Sequence, residues 1–205
     1  LGRIARLRGQ LQAASGYLVE ALGAAEVLAD TRLIAKIGNS YGAVLERQGL
    51  DAEALDRHQR VQNLWRDLDD TPGLIASSIN IARVFERRQA WNDAQRHYDA
   101  ALQQYDAFAT PELVPAQDIA GIWMGQGRIA LGRGLVDQAE YAFTRALKLQ
   151  TENLDVVGES AARTWLARVA AARGDESAAI GGFEQSLTLA TRVGARAEMV
   201  DALAQ

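Results

Sequence analysis

Tyr41-Gly42-Ala43-Val44-Leu45-Glu46-Arg47-Gln48-Gly49-Leu50-Asp51-Ala52-Glu53-Ala54 reads as the end of one helix, a tight turn at Gly49 and the start of a second helix. Ala54 has counterparts at Ala14, Ala94, Ala139 and Ala179, so the pattern recurs at spacings of 40, 40, 45 and 40 residues. A fixed period of this length is the signature of stacked supersecondary units. The phase slips once, between Ala94 and Ala139.

Other positions fall into register on these alanines. Ten residues before them stand Ile4, Val44, Val84, Ile129 and Val169, all β-branched and placed to face another helix. Twelve before stand Gly2, Gly42, Ala82, Gly127 and Ala167, all small, which lets the two helices of a pair approach closely. Five before stand Gly9, Gly49, Gln89, Gly134 and Gly174, where a helix end wants a left-handed residue. Four after stand Leu18, His58, Tyr98, Phe143 and Phe183, bulky side chains on the same helical face as the alanine. One pair cannot bury its apolar face alone, and stacking gives a continuous core.

The pattern resembles the tetratricopeptide repeat (TPR) family. The residues that carry the likeness are Tyr41-Gly42, Leu45, Gly49, Ala54 and Val61, then Phe85, Trp91, Ala94, Tyr98, Ala101 and Leu102. The usual repeat of that family is about 34 residues. Here the helices are about a turn longer, a form that resembles repeats of kinesin light chains and bacterial signalling proteins. The resemblance implies an all-α right-handed solenoid, a concave groove lined by the first helix of each pair, and protein or peptide partners.

The expected organisation is a single array over 1–205, with repeats at 1–29, 30–69, 70–110, 111–153 and 154–193 and a partial repeat at 194–205. Eleven helices are expected. Thr31 is the expected cap of one helix, and Thr71 of another, with Pro72 at its first helical position. Two of the three prolines, Pro111 and Pro115, place the extra residues of the phase slip in that connection. The chain begins and ends inside helical patterns, so an excised piece of a longer protein is expected.

Composition narrows the function. A net charge of −4 disfavours bulk attraction to nucleic acid or anionic membrane. There is no cysteine, which excludes disulfides and thiolate metal sites and fits a cytoplasmic setting. No apolar run approaches the ~18 residues of a membrane span. The two histidines, His58 and His97, have no second ligand at helical spacing, and His58 occupies the bulky packing column. Gly121, Gly125, Gly127, Gly132 and Gly134 match no phosphate-loop pattern and read as small residues at a close helix contact. No nucleophile, base and orienter set stands out. No cofactor, metal site or catalytic residue is assigned, and the chain is expected not to be an enzyme.

One column goes beyond packing. Eleven residues before the alanines stand Arg3, Ala43, Arg83, Arg128 and Arg168, immediately beside the buried Ile/Val column. One residue is about 100° of helical rotation, so this stripe flanks the core face. The resemblance places it in the groove together with Asn39, Asn80, Arg87, Met124 and Trp165. One reading is an arginine ladder gripping an acidic or phosphorylated peptide. The other pairs these arginines with Glu46 and Glu86 of neighbouring helices. A second set, Arg8, Arg88, Arg133 and Arg173, precedes the turns, where helix ends favour cations. The chaperone-binding branch of the family clamps a C-terminal carboxylate, but of the matching positions Asn39, Ala43, Asn80, Gly121 and Gly125 only Asn80 agrees, so a cochaperone is rejected. The expected function is a non-enzymatic protein- or peptide-binding scaffold of a bacterial signalling protein. A small-ligand sensor and a scaffold that homodimerises an output domain are the alternatives.

Overall fold

The computed structural model describes residues 10–194, apart from the side chain of Val193. The described elements are α1 (Leu11–Val27), α2 (Thr31–Arg47), α3 (Asp51–Asp67), α4 (Thr71–Arg87), α5 (Trp91–Ala107), a 3-10 turn at Pro111–Leu113, α6 (Ala116–Gly132), α7 (Val136–Glu152), α8 (Val156–Ala172) and α9 (Glu176–Val193). The expected helices before Gly9 and after Gly194, with Gly2, Arg3, Ile4 and Arg8, lie outside the described residues. Among the described residues there is no strand.

Two compact units result, 1–111 and 112–205, and they divide at the proline-bearing connection where the repeat slips phase. Within the first unit α2 packs with α3, and α4 with α5; within the second α6 packs with α7, and α8 with α9. The next most intimate packing joins α1 to α2, α3 to α4 and α7 to α8. The first helices of successive pairs also touch, α2 with α4 and α6 with α8. Within each unit this is the stacking in order that the alanine spacing requires.

The 40-residue period is built from two equal halves. Helices α1 to α8 are each 17 residues long. Within each unit they are joined by three-residue turns. The middle residue of each turn is left-handed: Ala29, Gly49, Asp69, Gln89, Gly134, Leu154 and Gly174 all have φ between 50° and 80°. A 6→1 hydrogen bond then ties the next residue back, as in Leu50 N to Leu45 O at 3.0 Å and Asp155 N to Gln150 O at 2.9 Å. The sequence pattern marks this turn only once per pair, because four of the left-handed positions are not glycine. Two caps also lie one residue earlier than expected. Asp30 caps α2 by accepting from Leu33 N at 2.9 Å, and Asp70 caps α4 by accepting from Gly73 N at 2.8 Å. Thr31 and Thr71 are the first helical residues, and Pro72 the second. A carboxylate is the better acceptor for amides at the positive end of a helix.

The left-handed positions yield a stability prediction. Leu154 is 86% exposed, so its side chain contributes little packing. A left-handed conformation costs an L-residue about 1–2 kcal/mol. Glycine removes that strain but adds about 0.5–1 kcal/mol of unfolded-chain entropy. Leu154→Gly should therefore stabilise the second unit by about 0.5 kcal/mol and Gly134→Ala should destabilise it by about 1 kcal/mol. Paired denaturant titrations check this; a loss on Leu154→Gly would contradict it.

The core follows the aligned columns. Ala14, Ala54, Ala94 and Ala139 are fully buried and Ala179 nearly so, and Val44, Val84, Ile129 and Val169 are buried beside them. The small and bulky columns prove to be complementary. A Cβ on Gly127 would stand 2.5 Å from Cε1 of Phe143, and one on Gly42 would collide with the His58 ring. Each of these two rings thus lies flat against the glycine of its partner helix.

Candidate functional site

The first-helix stripe of the first unit carries a connected set of polar side chains. Asn80 of α4 donates from Nδ2 to Oδ1 of Asn39 on α2 at 3.4 Å. Arg83, one turn on, donates from Nη1 to Oδ1 of Asn80 at 3.3 Å and from Nη2 to Oε2 of Glu46 at 3.1 Å. The Arg83 side chain is 44% exposed, whereas Glu46 is buried. Behind it, Nε2 of the fully buried His58 donates to the other carboxylate oxygen of Glu46 at 3.0 Å. A carboxylate only accepts, which fixes the proton on Nε2. His58 Nδ1 has no hydrogen-bond partner. Arg87 donates from Nε to Asp51 at 3.1 Å. For Arg83 the pairing alternative is therefore what the structure shows, and Arg87 is paired as well.

Glu46 has a displaced pKa. Burial alone would raise it; the hydrogen bond from His58, the charge of Arg83 and the remaining contacts of these two outweigh burial and hold it below the usual glutamate value. A folded pKa below the unfolded one contributes stability that is fully present above the unfolded value, about 4.3, and is lost as pH falls through the folded value. The unfolding free energy of the parent should fall more steeply between about pH 5 and about pH 3 than that of Glu46→Gln. Equal slopes in urea titrations would contradict this.

In the second unit the stripe is aromatic. Trp165 of α8, half-buried, stacks on Phe143 with centroids 5.5 Å apart and an interplanar angle of 18°. The Arg168 guanidinium lies 4.4 Å from the Trp165 centroid and that of Arg128, from α6, lies 5.9 Å away. Both are within cation–π range. Met124 is a correction: it is buried with Phe143, Ala162 and Val169 instead of standing on the surface. An unbranched apolar side chain at the edge of the stripe is stabilised by about 2 kcal/mol when it turns into the core.

Arg173, expected as a helix-end cation, donates to Glu140 and Asp137 of α7, and these hydrogen bonds raise its pKa. Spacing alone does not anticipate a cleft of about 520 Å³ among α7, α8 and α9, floored by Leu166, Ala167, Ala170 and Gly182. Its rims carry Arg163, bound to Glu159 and Gln185, and Arg173. Among the described residues, no group of three His, Asp or Glu is placed to hold a metal ion. None of the described helices is long and apolar enough to cross a membrane.

These features define an α-helical repeat protein. Residues 33–107 match the tetratricopeptide repeat family. No curated protein matches the chain by sequence. Among solved structures it is similar to BtubC (BKLC) from P. vanneervenii, with a TM-score of 0.73 at 19% identity over 95% of this chain and 78% of that one. It is also similar to a Rap protein complexed with Competence and Sporulation Factor, with a TM-score of 0.85 at 14% identity over 98% of this chain. The quorum sensor NprR from B. thuringiensis gives 0.75 at 16% over 98%. The chain spans 55% of the Rap and NprR chains. At these identities the likeness is one of fold. The match to the family is confined to 33–107, and the described chain has a TPR-like fold.

Proposed function

We propose that this chain is a non-enzymatic scaffold of a bacterial, cytoplasmic signalling protein and binds a peptide or protein segment along its first helices. The observation that carries the reading is the stripe itself. Consecutive first helices present half-exposed groups that donate and accept hydrogen bonds, Asn39, Asn80 and Arg83 in one unit, and an indole flanked by arginines, Arg128, Trp165 and Arg168, in the other. Taken unit by unit, the amide and guanidinium groups of the first fit a peptide backbone, and the indole and arginines of the second fit an aromatic or acidic side chain. The Rap protein solved with its factor and the quorum sensor NprR lend support, since both share the fold.

The test is equilibrium binding of peptides selected from a random library on the full chain. Asn80→Ala and Arg168→Ala should each weaken the selected peptides by roughly 3- to 10-fold, equivalent to about 1 kcal/mol. Unchanged affinity in both variants, with helix content preserved, would overturn the reading. Acceptance only of small molecules would favour a ligand sensor instead.

A further inference from the structure

Repeat alignment exposes a second pair of matched columns. Eight residues before the reference alanines stand Arg6, Glu46, Glu86, Leu131 and Ala171; four after stand Leu18, His58, Tyr98, Phe143 and Phe183. Arg6 lies outside the described residues. A hydrogen-bond donor occupies the second column only where a carboxylate occupies the first. The structure joins both polar pairs: His58 Nε2 to Glu46 at 3.0 Å and Tyr98 Oη to Glu86 Oε2 at 3.0 Å. The apolar solution, Leu131 with Phe143, builds the equivalent place in the second unit and is also well packed. Burying a carboxylate is therefore not needed for folding at this position, and it is expensive unless satisfied. Packing alone does not account for a buried Glu46.

Its position lets it reach the stripe from behind. One oxygen is held by His58 in the interior, and the other meets the Arg83 guanidinium at 3.1 Å on the stripe. Arg83 in turn bonds Asn80, and Asn80 bonds Asn39. We propose that the buried Glu46–His58 pair consists of positioning residues that fix Arg83 and cancel its charge, so that the Asn39–Asn80–Arg83 wall selects an uncharged stretch of peptide over a carboxylate-bearing one. This rests on the peptide-binding reading above and adds its charge preference. The Arg83–Glu46 pair is neutral as a unit, and a ligand carboxylate placed beside it meets a like charge a few ångströms behind the guanidinium. Lys36 and Arg47, exposed on α2, are common to every variant below and cancel in the comparison.

The experiment compares two versions of one library-selected peptide, with Gln or Glu at the residue that contacts this wall, on the full chain. The double variant Glu46→Leu with His58→Phe reproduces the Leu131–Phe143 solution. It should keep its helix content and shift the Glu-to-Gln affinity ratio toward Glu by roughly 3- to 10-fold, less at high salt. Glu46→Gln keeps the shape of the pair, can still accept from His58, and should shift the ratio the same way if the double variant misfolds. Adding Arg83→Gln to either should return the ratio to that of the parent. An unchanged ratio in both variants would overturn the inference while leaving peptide binding intact. A parent that binds neither version would instead remove the peptide reading itself.

Discussion

Phe143→Ala should destabilise the second unit by about 3–5 kcal/mol, the range for deleting a buried aromatic side chain. Phe143 is fully buried. Its ring fills the space that Gly127 leaves open and supports Trp165 at a centroid distance of 5.5 Å. Removing it leaves a cavity that the helices cannot close, because interiors are close-packed and relax only in part. Trp165 also loses the ring that holds it against Arg168, so the loss should extend to peptide binding. Hydrogen exchange resolves the effect by unit: amides of α6, α7 and α8 should exchange faster, and those of α2 to α4 should not change. A loss below about 1 kcal/mol would mean that the bulky column does not anchor the pair.

His58→Phe is the second large effect, expected at about 2–3 kcal/mol near neutral pH. It keeps a ring against Gly42 and deletes the hydrogen bond to a buried carboxylate, and bonds to charged groups contribute about 1.5–3 kcal/mol. With His58 gone, burial of Glu46 is opposed only by Arg83, so its pKa should rise relative to the parent. The deficit should shrink as pH falls and the carboxyl accepts a proton. Adding Glu46→Leu should recover most of the loss, because the pair then repeats the chemistry of Leu131 and Phe143. Strict additivity of the two changes in a double-mutant cycle would contradict this, since contacting residues couple.

The alanine, Ile/Val and glycine columns were legible because tight helix crossings dictate residue size, and size shows in a single sequence. The turns were half hidden. Their requirement is a left-handed backbone, which Ala29, Asp69, Gln89 and Leu154 meet without announcing it. Sequence does not separate Asp30 from Thr31 or Asp70 from Thr71 as the cap, because Asp and Thr are both good caps and stand side by side. The stripe was found by its period, but its state was not. Whether Arg83 meets Glu46 or solvent depends on side-chain reach across two helices, which spacing does not encode. The matched Glu46–His58 and Glu86–Tyr98 columns were the signal that could have revealed it. Met124 is buried because a stripe position one step from the core turns inward when its side chain is long and apolar.

The most direct test of the account is hydrogen exchange of the full chain with and without a library-selected peptide. Slowed exchange is expected on the first helices, around Asn39 and Asn80 in α2 and α4 for a peptide held by the first unit, or around Trp165 in α8 for one held by the second. Protection confined to α3, α5, α7 and α9, or to the cleft lined by Gly182 and Arg173, would contradict it.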